Sequence, residues 1–464
     1  MLTPGDGAVY FARLTVKNIR CFAEEVTLDL CDAEGRPRQW TILLGDNGVG
    51  KTTLLQCLAL LEPLRGEHPY GQLGPTDSRA NYPAVDTINP RRGDNAGDRF
   101  IRTGRLATEA DTTESRLAVK LLGESKYSTA ILWYPESPYG VTLDGYNVAR
   151  EMQAHELERM KVYAYGAARH LGPSTMQSTE KRDATATLFS PDSGLLDANE
   201  WLLRTDYFAR LEPEGSYREQ FERVKDLLIE LLPDVSDIQI KISAGKKPSP
   251  ASARALDQLV LFETQYGGVP LRELSLGYQS MLAWLVDFAA RMFERYPDSE
   301  KPLHEPAVVL IDEIDLHLHP RWQRGIIDYL TEAFPKTQFI VTAHSPLVVQ
   351  AAEDANLVLL RREGDHVVID NRPEMVHSWR VDQLLTSDLF GLESGRSPRV
   401  ARLMDERTEL LARGVSTDEE RQRLAELDEE LGVIPAAERR EDREALQEMR
   451  KLADLLRKQA ESGS

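Results

Sequence analysis

The chain has 464 residues, a formal net charge of −19, 41% hydrophobic residues and a mean hydropathy of −0.40. That length holds two or three domains around a large core. The acidic balance excludes a generally basic nucleic-acid coat, and no apolar run reaches the roughly 18–20 residues that span a bilayer.

Three cysteines, Cys21, Cys31 and Cys57, lack ligand spacing, and the first residues lack the basic and apolar regions of a secretory leader. A reducing cytoplasm is the expected setting. Residues 11–19 and 26–30 alternate apolar with polar side chains and predict strands. Residues 40–44 are a short apolar run ending in Gly45, which predicts a buried strand feeding a loop. Leu54, Leu55, Leu58 and Leu61 then fall at helical spacing. Residues 66–98, rich in Gly, Pro, Asn and Asp, predict a long loop or a mobile insertion.

Strand patterns return at 116–122, 130–134 and 161–165. Residues 172–193 read as irregular, 199–232 as mostly helical up to Pro233, 238–242 as a strand and 244–253 as a loop. Met281, Leu282, Trp284, Leu285, Phe288, Met292 and Phe293 form the apolar face of a helix. Residues 307–311 and 338–342 are continuous apolar runs, the pattern of parallel strands buried on both faces. Residues 357–360 and 366–369 predict a hairpin around Gly364. From about 395 the composition turns to Glu, Arg, Leu and Ala. Ser416 and Glu419 offer a capping box before Leu424, Leu427 and Leu431, and a last helix is expected over 440–459.

Gly45-Asp46-Asn47-Gly48-Val49-Gly50-Lys51-Thr52 fits the phosphate-loop pattern, and it lies between a strand and a helix as that motif requires. Its glycines let successive N–H groups turn inward, and the helix start adds partial positive charge. Gly45, Asn47, Gly48, Gly50, Lys51, Thr52 and Thr53 are the expected nucleotide-binding residues. Lys51 supplies charge to the β- and γ-phosphates. The Thr52 hydroxyl is placed to bind Mg²⁺, as is Asp312 at the end of the 307–311 strand. Glu313 follows at once and suits a carboxylate that polarises the attacking water. His344, after the 338–342 strand, suits a sensor of the γ-phosphate. Ser275 and Gly277 open the apolar helix, where a serine and a close-approach glycine make an anion site; in isolation they would be an ordinary helix cap.

Together these motifs resemble the ABC-type ATPase head, in the branch of RecF, the structural-maintenance-of-chromosomes (SMC) proteins and the OLD ATPases. Leu14-Thr15-Val16-Lys17-Asn18-Ile19-Arg20-Cys21-Phe22 is similar to that branch's opening strand, Leu274–Gln279 to its signature motif, and 312–320 to its Walker B and following loop. The resemblance implies an α/β P-loop fold with a mixed sheet, an inserted helical arm and a helical C-terminal tail. The expected domains are an ATPase lobe over 1–170, an inserted subdomain over 171–270, a second lobe over 271–394 and a tail over 395–464.

It further implies ATP and Mg²⁺ as cofactors. Ser275 and Gly277 would contact the γ-phosphate held by the opposite protomer, so that ATP joins a homodimer. More than two hundred residues separate Lys51 from Ser275, which matches a branch that inserts arms there and not the more compact transporter subunits. Tyr163-Ala164-Tyr165-Gly166-Ala167-Ala168-Arg169, Thr187-Leu188-Phe189, Glu200-Trp201-Leu202 and the 379–392 segment look like those of phage-defence ATPases, including the Septu and retron-associated kinds. That likeness implies a higher assembly, a nuclease effector as partner, and nucleic acid, with no membrane. A transporter ATPase subunit and a slow-turnover ATP-gated scaffold are the competing readings. One departure stands out: His319 occupies the position where the branch usually carries an Asp. No residue is assigned to the glutamine loop.

Overall fold

The computed structural model describes residues 2, 8–60, 115–122, 126–133, 160–170, 184–213, 215–232, 234–242, 258–371, 379–414 and 417–431. The loops expected at 66–98 and 244–253, and the helix at 440–459, lie outside them. Two units are distinguished, Met1–Phe390 and Gly391–Ser464.

The strands of the first unit are β1 (Tyr10–Lys17), β2 (Val26–Asp29), β3 (Trp40–Leu44), β4 (Ser115–Leu122), β5 (Lys126–Trp133), β6 (Val162–Tyr165), β7 (Val235–Ile242), β8 (Gln258–Thr264), β9 (Gly267–Pro270), β10 (Ala307–Ile311), β11 (Thr337–Thr342), β12 (Asn356–Glu363) and β13 (His366–Asp370). A six-stranded sheet has the order β13-β12-β3-β11-β10-β6. All its neighbours are parallel except β12 and β13, which pair antiparallel. The sheet is therefore mixed, and the hairpin around Gly364 forms its edge. Strands β2-β1-β4-β5 make an antiparallel sheet, and β7-β8-β9 another.

The apolar runs are continuous because side chains on both faces are buried. On β3, Trp40, Ile42 and Leu44 face one core cluster while Leu43 faces the other. On β10, Val309 and Ile311 face the first, Val308 and Leu310 the second. Helix Lys51–Leu60 packs Leu54, Leu55 and Leu58 into the second cluster, beside β1. Helix Leu276–Arg295 lies on the other face, with Trp284, Leu285 and Phe288 fully buried.

The stretch read as an inserted arm is drawn into that same core. Trp201, Leu202, Val224 and Leu228 join one cluster with Trp284, Phe288 and Phe339. The helical pattern at 199–232 resolves into two helices, Ala198–Leu211 and Ser216–Leu231, with Gly215 N–H closing a turn on Glu212 O. Pro213 lies between them and disfavours helical backbone in the residue before it. A short helix, Ala186–Phe189, also forms inside the stretch read as irregular.

Asp287 on the long helix is the buried polar anchor of this face, 1% exposed. Its Oδ2 accepts from Arg291 Nε at 2.7 Å and from the Tyr165 hydroxyl at 3.1 Å; its Oδ1 accepts from Leu196 N–H at 3.2 Å. The helix is thus tied to β6 by charge-assisted bonds as well as by packing.

In the second unit, helices Pro398–Arg413 and Asp418–Leu431 pair through Arg399–Glu430, Arg407–Asp428 and Arg423–Glu406. The capping box falls one residue later than Ser416 and Glu419. Thr417 N–H donates to Glu420 Oε2 at 3.0 Å, and Glu420 N–H donates to Thr417 Oγ1 at 3.2 Å. Both pairs have the required spacing, so pattern alone did not choose between them.

Candidate functional site: a phosphate loop beside two strand-end carboxylates

Because β3, β11, β10 and β6 run parallel, their carboxyl ends open on one edge, where α/β sheets bind ligands. The loop 45–50 follows β3, Asp312 and Glu313 follow β10, His344 follows β11, and Gly166 to Arg169 follow β6. Four separated segments therefore meet at one place.

The phosphate loop is shaped by two of its glycines. Gly45 has φ of 133°, and a Cβ there would stand 2.3 Å from Leu360 O. Gly50 has φ of 90°, and a Cβ there would stand 2.5 Å from Cys21 Sγ. Neither position accepts a side chain without moving its surroundings. The tip, Asp46, Asn47 and Gly48, is exposed. Lys51 is 7% exposed and its ammonium donates to Gly45 O at 2.7 Å and Asp46 O at 2.9 Å. Burial pulls its pKa below the ordinary range, while Asp312 and Glu313 favour the charged form.

Thr52 Oγ1 donates to Asp312 Oδ2 at 2.9 Å, so the two expected Mg²⁺ ligands touch across 260 residues of sequence. A hydroxyl and a carboxylate side by side are hard oxygen donors of the kind Mg²⁺ takes together with phosphate oxygens and water. These residues fit the ion. Thr53 is placed differently from its neighbours: its buried hydroxyl accepts from Arg20 Nη1 at 3.1 Å. The part of Thr53 open to a phosphate is its backbone N–H, in the first turn of the helix.

Asp312 Oδ1 accepts from Thr342 Oγ1 at 2.8 Å, and the same Thr342 oxygen accepts from Glu313 N–H at 2.7 Å. One side chain on β11 thus holds both acids. Glu313 has φ of 51°, in the left-handed region, which costs a non-glycine residue on the order of 1–3 kcal/mol. Its side chain is half-buried. His344 is exposed, and its N–H donates to Asp315 Oδ2 at 3.0 Å, which fixes the backbone while leaving the ring accessible.

Arg169 lies outside the sequence motifs that mark the site. It is 6% exposed, and its Nη2 donates to Glu313 O at 2.6 Å. Burial pulls its guanidinium down to about 10, against the opposing influence of Asp312, Glu313 and Asp315. No local signal in the sequence marks this contact, because 144 positions separate its partners. Thr342 was likewise hidden as the last residue of an apolar strand.

Ser275 caps the long helix, its hydroxyl accepting from Tyr278 N–H at 3.5 Å, and it is exposed. Gly277 is buried, and a Cβ there would stand 2.4 Å from His317 O. The close approach that requires glycine is therefore to the chain's own loop after Glu313. Gly277→Ala is expected to destabilise the fold by about 1–3 kcal/mol, because the obstacle is backbone. An unchanged thermal midpoint in calorimetry would remove this role. His319 caps the short helix Pro320–Gln323, its Nδ1 accepting from Arg321 N–H at 3.2 Å. Aspartate performs the same cap, so the departure preserves the local fold.

Two family models match the chain. One, described as an AAA domain, putative AbiEii toxin, Type IV TA system, covers residues 178–350; the other, described as an AAA domain, covers 13–68. Together they take in the phosphate loop, the capped helix, both carboxylates and His344. Both models are of AAA domains, and the chain that carries them is an ATPase.

Among similar proteins, a Septu protein PtuA from Bacillus mycoides is 26% identical over 91% of this ATPase and 50% of that protein. A probable ATPase of retron Ec83 from Escherichia coli is 40% identical over 24% of this ATPase and 21% of that protein. The chain spans half the length of that Septu protein. An SMC head domain from Thermotoga maritima superimposes with a TM-score of 0.42 at 14% identity, over 78% of this ATPase and 98% of that domain.

Proposed function

We propose that this ATPase is a switch that closes as an ATP-joined homodimer and controls a nuclease effector, in anti-phage defence or DNA repair. The observation that carries the dimer is the start of helix Leu276–Arg295. Ser275 is exposed there with only a long 3.5 Å cap bond, and Leu276 is 68% exposed. A helix N-terminus offers N–H groups and partial positive charge to an anion, and an exposed leucine beside it suits burial against a second copy. Gly277 seats this helix start on the loop that follows Glu313, so closure would be felt beside the hydrolytic residues.

In the bound state Lys51 and the backbone of the phosphate loop would hold the β- and γ-phosphates. Thr52 and Asp312 would hold Mg²⁺, which supplies charge neutralisation at those phosphates. Glu313 would take the proton of the attacking water, and His344 would hydrogen-bond the γ-phosphate. The defence setting and the nuclease partner rest on the likeness to Septu and retron proteins; nucleic acid is the proposed trigger.

The test is the molar mass of the Glu313→Gln protein by light scattering, with and without Mg-ATP, alongside a Ser275→Arg version. A doubling with ATP that Ser275→Arg abolishes is expected. A mass unmoved by ATP would overturn the dimer. Turnover should also change when DNA or RNA is added; indifference to both would remove nucleic acid as the trigger.

A further inference from the structure

We propose that Arg169 is the positioning residue that sets the Glu313 backbone for water activation. The inference rests on the hydrolytic role given to Glu313 above.

Glu313 stands in the left-handed region, where a side chain is disfavoured, so something must hold it. Two side chains do so from opposite sides of the residue. Thr342 Oγ1 takes its N–H, and Arg169 Nη2 donates to its carbonyl. These bonds fix the peptide on each side of the Glu313 Cα, and therefore the direction in which its carboxylate leaves the chain. Thr342 is already committed to Asp312, and Glu313 O also accepts the Leu316 N–H of its own turn at 3.0 Å, so Arg169 is the side chain that ties this carbonyl to the segment after β6.

The cost of Arg169 argues against a purely structural role. Among the described residues its Nε and Nη1 are buried without a partner, as is Asp315 Oδ1 nearby in the same site. Buried polar groups are nearly always paired, and an exception calls for an explanation. A carbonyl alone could be satisfied by a neutral donor. A guanidinium placed among Asp312, Glu313 and Asp315 also balances their charge. Arg169 reaches this place because β6 pairs parallel with β10, which brings Tyr165 O onto Asp312 N–H at 2.8 Å, four residues before the arginine. Gly166 is needed in between: a Cβ there would meet Thr187 O at 2.2 Å. The turn from β6 to Arg169 is thus set by packing.

The test is phosphate release by Arg169→Met and Arg169→Lys, each alone and combined with Glu313→Gln, in proteins shown to be folded. Arg169→Met should lower kcat by about tenfold or more and leave KM for Mg-ATP within about twofold, the split expected when an interaction serves the transition state and not binding. Arg169→Lys keeps charge and one donor, and should recover part of the loss; it also carries the test if the Met protein does not fold. On the Glu313→Gln background Arg169→Met should add less than about twofold, because both changes act on one group.

A folded Arg169→Met protein with unchanged kcat overturns the proposal. So does a rise in KM with kcat kept, which would make Arg169 a phosphate ligand, or a full independent loss on the Glu313→Gln background. Equal turnover in wild type and Glu313→Gln would instead overturn the role of Glu313 itself, and is read separately.

Discussion

Glu313→Gln is expected to slow phosphate release by about 10²- to 10⁴-fold, the usual contribution of a positioned general base. The amide keeps the size and most hydrogen bonds of the carboxylate but cannot take a proton. The backbone that fixes this residue does not change, since Thr342 Oγ1 and Arg169 bind its N–H and carbonyl, not its side chain. The phosphate loop does not change either, because Lys51 and Thr52 bond Gly45, Asp46 and Asp312. ATP affinity should therefore survive while turnover falls, and the ATP-bound state should accumulate. Equilibrium nucleotide binding and single-turnover hydrolysis, measured on one preparation, check both halves. Equal turnover in the two proteins would sink the assignment.

Asp287→Ala is expected to lose about 3–5 kcal/mol of stability, the cost of removing one partner of a buried ion pair. Arg291 is 8% exposed, and Asp287 is its ion-pair partner. The Tyr165 phenol loses its acceptor as well. That phenol is kept protonated by burial and by Asp287, both of which push its pKa well up, so it is a committed donor. Leu196 N–H loses its partner in the same change. A loss of that size is a large share of the roughly 5–15 kcal/mol that holds a domain together. Urea unfolding measures it. Asp287→Ala combined with Arg291→Met should recover part of the loss, since the buried charge that Asp287 balanced is removed with it. A cost below about 1 kcal/mol for the single change would show that the pair is solvated in the folded protein.

The motifs that carry chemistry were legible because their constraints are local. A phosphate loop needs glycines, a lysine and a hydroxyl within eight positions. Thr52, closing the phosphate loop, and Asp312, ending an apolar run, could be named as expected Mg²⁺ ligands, and their side chains are hydrogen-bonded to each other. Gly277 was legible as a glycine in a crowded place, but its crowding comes from His317 O. That neighbour lies forty positions away and leaves no trace near Gly277. Thr53 fitted the loop pattern, yet Arg20, on a turn before β2, engages its hydroxyl.

By itself the sequence determined the class of the machine: a buried parallel sheet, a phosphate loop after one strand, two acids after another, and a capped apolar helix. These follow from side-chain period, backbone freedom and the short reach of a turn. Only the tertiary structure decided which groups act together. Strand order places β6 beside β10, and so puts Arg169 on the Glu313 carbonyl. Helix packing buries Asp287 against Tyr165 and draws the stretch read as an arm into the common core. Such contacts depend on which surfaces exclude water together, and no spacing along the chain encodes them.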